Sequence, residues 1–231
     1  MIVAAHQPAY LPWLGYFDKL ARSDVFVFLD DVQFEKNSFT NRNRIKTPQG
    51  PIWLTVPVRT KGHTDSTMLE TRIDDTQGWR DKHLKSIFFN YKKAPRFEQC
   101  YPKLEALYRE PDELLSELCL RHLSFWLREL GMEKTVVRSS TLPLESRKSE
   151  LVLDLCRHFN ANCYLSGALG RDYLDVESFR AQGIEVKFQD YKHPSYPQLH
   201  GPFAPSMGIV DFWLNTDKVE LISPPPAQTA T

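Results

Sequence analysis

The chain has 231 residues, and its 29 Lys+Arg are set against 29 Asp+Glu for a formal net charge of +0. Hydrophobic residues make up 42%, charged residues 25% and aromatic residues 12%, the usage of a globular protein with enough apolar side chains to bury a sizeable core. A neutral chain has no overall field to gather phosphate backbones or anionic lipid, which argues against bulk nucleic-acid or membrane-surface binding, and no apolar run approaches the roughly 20 residues that span a bilayer.

In chain order, Met1–Ala5 reads as a short strand. It carries no basic n-region and is followed by His6, Gln7, Pro8 and Pro12, so it does not read as a signal peptide. Trp13–Ala21 has Leu14, Phe17, Leu20 and Ala21 near helical spacing. The apolar run Asp24–Leu29 stops at Asp30-Asp31, as a strand buried on both faces would. Asn41-Arg42-Asn43-Arg44 reads as a polar loop, and Pro48-Gln49-Gly50-Pro51 is a turn before the run Ile52–Val58. The middle is helical, with Asp112 as N-cap, a stripe from Leu114 to Leu130, and Gly131 as the stop. A strand at Thr135–Val137, a helix at Glu150–Phe159, a strand at Asn162–Ser166, a short helix near Val176–Gln182 and a strand at Ile184–Phe188 follow. Apolar strands alternating with helices predict a three-layer α/β/α Rossmann-like domain over 1–222, with a mainly parallel sheet, a helical insertion in the middle and a disordered Pro-rich tail at 223–231.

Cys100, Cys119, Cys156 and Cys163 form no C-x-x-C pair, so they read as buried free thiols of a cytoplasmic protein, and no ligand spacing predicts a metal site. In an open parallel sheet the ligand lies beyond the carboxyl ends of the strands. Polar clusters fall there: His6-Gln7, then Asp30-Asp31-Val32-Gln33 leading to Asn41-Arg42-Asn43-Arg44, then Ser166-Gly167 with Arg171 and Tyr173, and last His193 with Tyr196 and Gln198. An imidazole at a strand end can serve as a base near neutral pH, and guanidinium forks suit phosphate or carboxylate. The Ser166–Gly170 loop matches no phosphate-binding glycine signature and no G-x-S-x-G elbow. Arg138-Ser139-Ser140-Thr141 resembles the Ser-Ser-Thr turn of some nucleotidyltransferases, although the second histidine of their first loop is missing.

The segment His6-Gln7-Pro8-Ala9-Tyr10-Leu11-Pro12-Trp13-Leu14-Gly15-Tyr16-Phe17 resembles the opening signature of the WbqC-like protein family. The likeness continues through Leu29–Phe34, Asn41–Ile45, Trp53–Val58, Tyr164–Gly167, Tyr173–Asp175, His193-Pro194 and Ile209–Asp211. Gly208 stands where that family's pattern has a serine, with Ser206 two residues earlier, so the pattern's hydroxyl has no counterpart at that position. The resemblance implies a role in bacterial surface-polysaccharide (O-antigen) biosynthesis and an aminoacyl, glycyl-type, or other acyl transfer to the amine of a nucleotide-linked amino sugar. It implies a shared site that includes His6, Gln7, Asp30, Gln33, Asn41, Arg42, Asn43, Ser166, Gly167, Tyr173, His193 and Gln198.

N-acylation needs a base, oxyanion donors and a phosphate anchor. His6 or His193 is assigned as the base, with Asp30 orienting the imidazole or the amine. Gln7 and Asn43 are assigned as oxyanion or hydroxyl donors, and Arg42 and Arg171 as the phosphate clamp. Tyr10, Asp31, Gln33, Asn41, Ser166, Gly167, Tyr173, Tyr196 and Gln198 complete the substrate-binding set. No tightly bound cofactor is expected; the acyl donor would be a carrier-protein thioester, a coenzyme A thioester or an adenylate, with an acyl carrier protein as a candidate partner. A nucleotidyl- or adenylate-forming enzyme and a non-catalytic sugar-binding module are the alternatives.

Overall fold

The computed structural model describes residues 1–59 and 66–223. Its strands are β1 (Ile2–His6), β2 (Val25–Phe28), β3 (Arg42–Thr47), β4 (Gly50–Thr55), β5 (Thr135–Arg138), β6 (Cys163–Ser166) and β7 (Glu185–Phe188). Its helices are α1 (Leu14–Ala21), α2 (Trp79–Tyr91), α3 (Phe97–Arg109), α4 (Leu115–Glu129), α5 (Lys148–His158), α6 (Val176–Ala181) and α7 (Ile209–Asn215). Five strands form one all-parallel sheet in the order β5-β2-β1-β6-β7, and β3 and β4 pair apart from it as an antiparallel hairpin. The chain therefore has the expected three-layer α/β/α Rossmann-like architecture, with α2, α3 and α4 inserted between the hairpin and β5.

The layers follow from the two-residue period of the strands. Ala4, Phe26, Phe28 and Leu165 face the core shared with α1, α7 and the helical insertion, while Val3, Ala5, Val25, Val27 and Tyr164 face the core under α5 and α6. Full burial of a side chain such as Phe26 or Phe28 contributes about 1.5–3 kcal/mol relative to exposure. Alternate residues of one apolar run thus serve two cores, which explains why β1 and β2 carry almost no polar residue before their carboxyl ends.

Three segments differ from the sequence reading. Asn41–Arg44 is not a loop: Arg42 opens β3, and the run Ile52–Val58 overlaps β4, which begins within the expected turn at Gly50, ends at Thr55 and pairs with β3. Cross-strand pairs such as Arg44 with Trp53 and Ile45 with Ile52 hold this ribbon, a pairing that the charge of β3 concealed. Asp112 does not cap α4, which begins at Leu115 behind Leu114 without a side-chain cap; the Asp112 carboxylate instead pairs with Arg121 inside that helix. The Pro-rich tail lies outside the described residues from 224 onward. All four cysteines are free and buried. Among the described residues, no helix is long and apolar enough to cross a membrane.

Buried polar groups tie the loops at the carboxyl end of the sheet. Asp18, fully buried on α1, pairs with Arg22 at 2.8 Å and accepts from the Gln189 amide at 2.6 Å, which fastens α1 to the end of β7. Asn43 donates to the Leu11 carbonyl at 2.6 Å and so fixes β3 against the loop after β1. Gly208 joins the same seam, donating its N–H to the Arg44 carbonyl at 2.8 Å and bridging to Trp13. A Cβ at Gly208 would stand 3.0 Å from the Leu11 carbonyl oxygen and 3.3 Å from that of Arg44, both backbone atoms that cannot turn away. Gly208→Ala is accordingly expected to lower the unfolding free energy by about 1–3 kcal/mol in urea titration. An unchanged midpoint would show that the seam has slack.

Candidate active site

Strand order reverses between β1 and β6, so the chain leaves these neighbouring strands toward opposite faces of the sheet, and this switch point is where the ligand crevice of an open parallel sheet is expected. The carboxyl end of β1 brings His6 and Gln7 to that crevice, and the end of β6 brings Ser166 and Gly167. The His6 Nδ1 lies 2.9 Å from the Gln7 carbonyl oxygen. A carbonyl can only accept, so Nδ1 carries the hydrogen and Nε2 is left as the acceptor. The ring is held edge-on against Trp13 and Tyr16, at centroid distances of 5.5 and 4.9 Å. Desolvation, and after it the charge of Lys19, pulls the imidazole down to about 3, so His6 is neutral at physiological pH.

Lys19 is the residue that the sequence reading did not single out. It lies on α1 with 3% of its surface exposed, donates from Nζ to the Ala5 carbonyl at 2.9 Å, and approaches Gly167 so closely that a Cβ there would be 3.9 Å from Nζ. No carboxylate pairs with it among the described residues. Burial without a counter-ion pulls its ammonium from 10.5 down to about 7. The signal in the sequence is that α1 is apolar or aromatic on several sides, with Leu14, Tyr16, Phe17 and Leu20 all buried, so a lysine among them has no short route to water. Together, Lys19, His6, Ser166 and Gly167 place a readily deprotonated amine, an imidazole acceptor and two small residues at one switch point of the sheet.

The other expected residues distribute differently. Asp30 is fully buried, but its carboxylate takes hydrogen bonds from Arg138, from Ser139 Oγ at 3.2 Å, and from Ser140 through N–H at 3.0 Å and Oγ at 2.9 Å. Asp31 accepts from Ser139 as well. The Ser-Ser-Thr turn therefore serves to hold the end of β2 against the end of β5, and the expected contact between Asp30 and an imidazole is absent among the described residues. Asn41 and Asn43 spend their amide groups on the Val56 and Leu11 carbonyls. Gln33 is exposed and bridges to Thr67. Tyr10 points into the helical insertion, where its hydroxyl meets Tyr108 and, at 2.8 Å, His83. Arg171 lies 4.2 Å over the Phe188 ring, and Tyr173 is exposed beside the loop after β6. Ser166 Oγ is buried and donates to the Gly167 carbonyl at 3.0 Å.

Tyr196 and Gln198 belong to a buried network around Asp211, donating to its Oδ2 at 2.7 Å each while the Tyr91 hydroxyl donates to Oδ1 at 2.6 Å. His193 rests on this network, its ring 6.2 Å from Tyr196 and 5.9 Å from Tyr191, with Nδ1 at 2.9 Å from the Pro194 carbonyl. Burial lowers it too. Tyr191 in turn would touch a Cβ on Gly15 beside the Trp13 indole, so His193 stands one aromatic ring beyond the wall of the crevice and not against His6.

The Lys19 shift makes stability depend on pH. Above pH 7 the folded amine is neutral while the unfolded one still binds a proton up to 10.5, so folding releases a proton and stability rises across that window; below pH 7 both states are protonated and the burial cost is present in full. Lys19→Met is expected to be more stable than the wild type at pH 7 by about 1–4 kcal/mol and to flatten the rise between pH 7 and 10, as read by urea unfolding at several pH values. A variant with the wild-type pH slope would contradict this assignment.

The profile of the WbqC-like protein family matches residues 7–222. An uncharacterized protein of Mycobacterium tuberculosis is 38% identical over 215 residues, which is 92% of this chain and 93% of that protein. No solved structure matches the chain. The matched stretch takes in Gln7, Lys19 and the end of β6, together with the buried anchors around them, and the chain belongs to the WbqC-like protein family.

Proposed function

We propose that this protein is an N-acyltransferase of bacterial surface-polysaccharide (O-antigen) biosynthesis, acting in the cytoplasm and moving an aminoacyl, glycyl-type, or similar acyl group onto the amine of a nucleotide-linked amino sugar. The observation that carries the reading is the buried, unpaired Lys19 at the crevice beside His6, with an ammonium held at about 7. Such an amine is near half deprotonated at neutral pH and matches what a general base needs. The sugar nitrogen attacks the acyl carbonyl carbon and a C–N bond forms. The bond from that carbon to the donor's leaving group, a thiolate sulfur or an adenylate phosphate oxygen, breaks. The proton lost by the attacking nitrogen passes to Lys19 Nζ. His6 Nε2, left as an acceptor, holds the amine or a neighbouring hydroxyl. The Gln7 side chain, one residue beyond His6, supplies the hydrogen bond to the oxyanion.

The nucleotidyl-transfer alternative is weakened because both serines of the Ser-Ser-Thr turn are committed to Asp30 and Asp31. The purified chain is to be incubated with amino-sugar nucleotides and, in separate reactions, coenzyme A thioesters, carrier-protein thioesters and aminoacyl adenylates. Acyl transfer from one of these donors is expected, and Lys19→Met is expected to lower kcat by about 100-fold or more with KM little changed. His6→Gln is expected to raise KM as well as lower kcat. Absence of transfer from every donor, in mixtures that a control enzyme turns over, would remove the proposal.

A further inference from the structure

Arg42 and Arg44 are two residues apart on β3 and so share a face, with Arg44 directly opposite Trp53 on β4. Both guanidinium groups lie over the Trp53 ring, 4.3 and 5.6 Å from its centroid. Among the described residues neither makes an ion pair, and the Nε of each is buried without a hydrogen-bond partner. Among the described residues the Arg44 guanidinium donates only to the Ser206 carbonyl, at 3.2 Å. The β4 positions opposite and diagonal to them are Thr55, Trp53 and Pro51, none of them acidic. Two like charges on one strand face repel each other, and a strand that served only to pair would place a carboxylate among those neighbours. Two adjacent, unneutralised planar forks fit an anion that carries its charge on more than one oxygen-rich group.

The surroundings narrow the anion further. Trp53 is 43% exposed and Phe39 39% exposed, with centroids 5.8 Å apart. Phe39 is 5.1 Å from Trp13, and Trp13 is 5.5 Å from His6. A continuous row of rings therefore runs from the crevice to the two arginines. The seam at Gly208, which bonds the Arg44 carbonyl and bridges to Trp13, holds that row to the hairpin. Exposed aromatic faces beside phosphate-binding forks are what a nucleobase joined to a diphosphate requires.

We infer that Arg42, Arg44, Trp53 and Phe39 form a nucleoside-diphosphate subsite, the two guanidinium groups holding the diphosphate and the exposed rings stacking on the base. Its place on the same substrate as the reacting amine rests on the proposed acyl transfer; the binding itself does not. This pair replaces the Arg42–Arg171 clamp expected from the sequence, because Arg171 packs on Phe188.

The test is calorimetry on the full chain with UDP, TDP, GDP, CDP and ADP, and with pyrophosphate and uridine alone. At least one nucleoside diphosphate is expected to bind at least about tenfold more tightly than pyrophosphate or uridine. Arg42→Met, Arg44→Met and Trp53→Ala are each expected to weaken that binding about tenfold or more while unfolding at the wild-type midpoint, and Arg42→Lys is expected to weaken it as well. Three results overturn the inference: no nucleoside diphosphate binds, pyrophosphate binds as tightly as the best of them, or folded variants bind like the wild type. Diphosphate binding without acyl transfer would overturn the proposed reaction alone. Acyl transfer to a free amino sugar without diphosphate binding would overturn the subsite alone.

Discussion

The hydrogen bond from Lys19 Nζ to the carbonyl oxygen of Ala5 is the interaction on which the rest of the site depends. It brings a lysine that is almost fully buried to the carboxyl end of the central strand, where the sheet reverses its order. A single neutral acceptor does not compensate a buried ammonium, so the fold sustains a group that is destabilising as long as it is charged. Strain of this kind persists where the surrounding structure over-determines it, and a proton-accepting role gives it a use. The same charge acts on His6, which sits one residue beyond Ala5 and is kept neutral by desolvation and by Lys19 together. Of these two neighbouring nitrogens only Lys19, held at about 7, takes up a proton near neutral pH, while His6 stays neutral.

Around that pair the structure uses its polar residues as fasteners. Asp30 locks the ends of β2 and β5 together, Asp18 locks α1 to the end of β7, Asn43 locks the hairpin to the loop after β1, and Asp211 gathers Tyr91, Tyr196 and Gln198 beneath the segment that bears His193. Each is nearly or fully buried and is held by at least one hydrogen bond, joined at Asp18 by the ion pair to Arg22, and a buried polar group held in this way stiffens a loop. Rigid loops matter because a base and an oxyanion donor contribute to a rate only when they are held in place before the reaction begins. The anion subsite that we infer is placed on the hairpin instead, on the strand face that carries Arg42 and Arg44.

The layering of the fold was legible in the sequence because it is written in apolar runs that stop at charges or at glycine: Val25–Phe28 before Asp30, and Cys163–Ser166 before Gly167. The position of His6 and Ser166 at strand ends was legible for the same reason. The roles of Asp30, Asn41, Asn43, Tyr196 and Gln198 were not, since a carboxylate or amide in a loop looks the same whether it faces a substrate or its own backbone, and only the three-dimensional register of β2 with β5 and of β3 with the loop after β1 decides it. Lys19 was hidden for the opposite reason. A lysine inside a short helix is ordinarily taken to reach water, and that it does not follows from α1 being wedged between the sheet, Tyr191 and the segment around Gly208. The hairpin was obscured because the charges of β3 suit a loop, whereas the stacking of Arg42 and Arg44 on Trp53 lets them lie on a strand.

The most direct test of the central claim is the titration of Lys19 itself, followed by NMR of the side-chain Cε and Nζ in protein carrying isotope-labelled lysine, with Lys19→Arg used to assign the resonance. A midpoint near 7, far from those of the surface lysines, is the predicted result. A midpoint near 10.5 would contradict the account, because Lys19 would then be an ordinary ammonium and the crevice would have no base of the required strength.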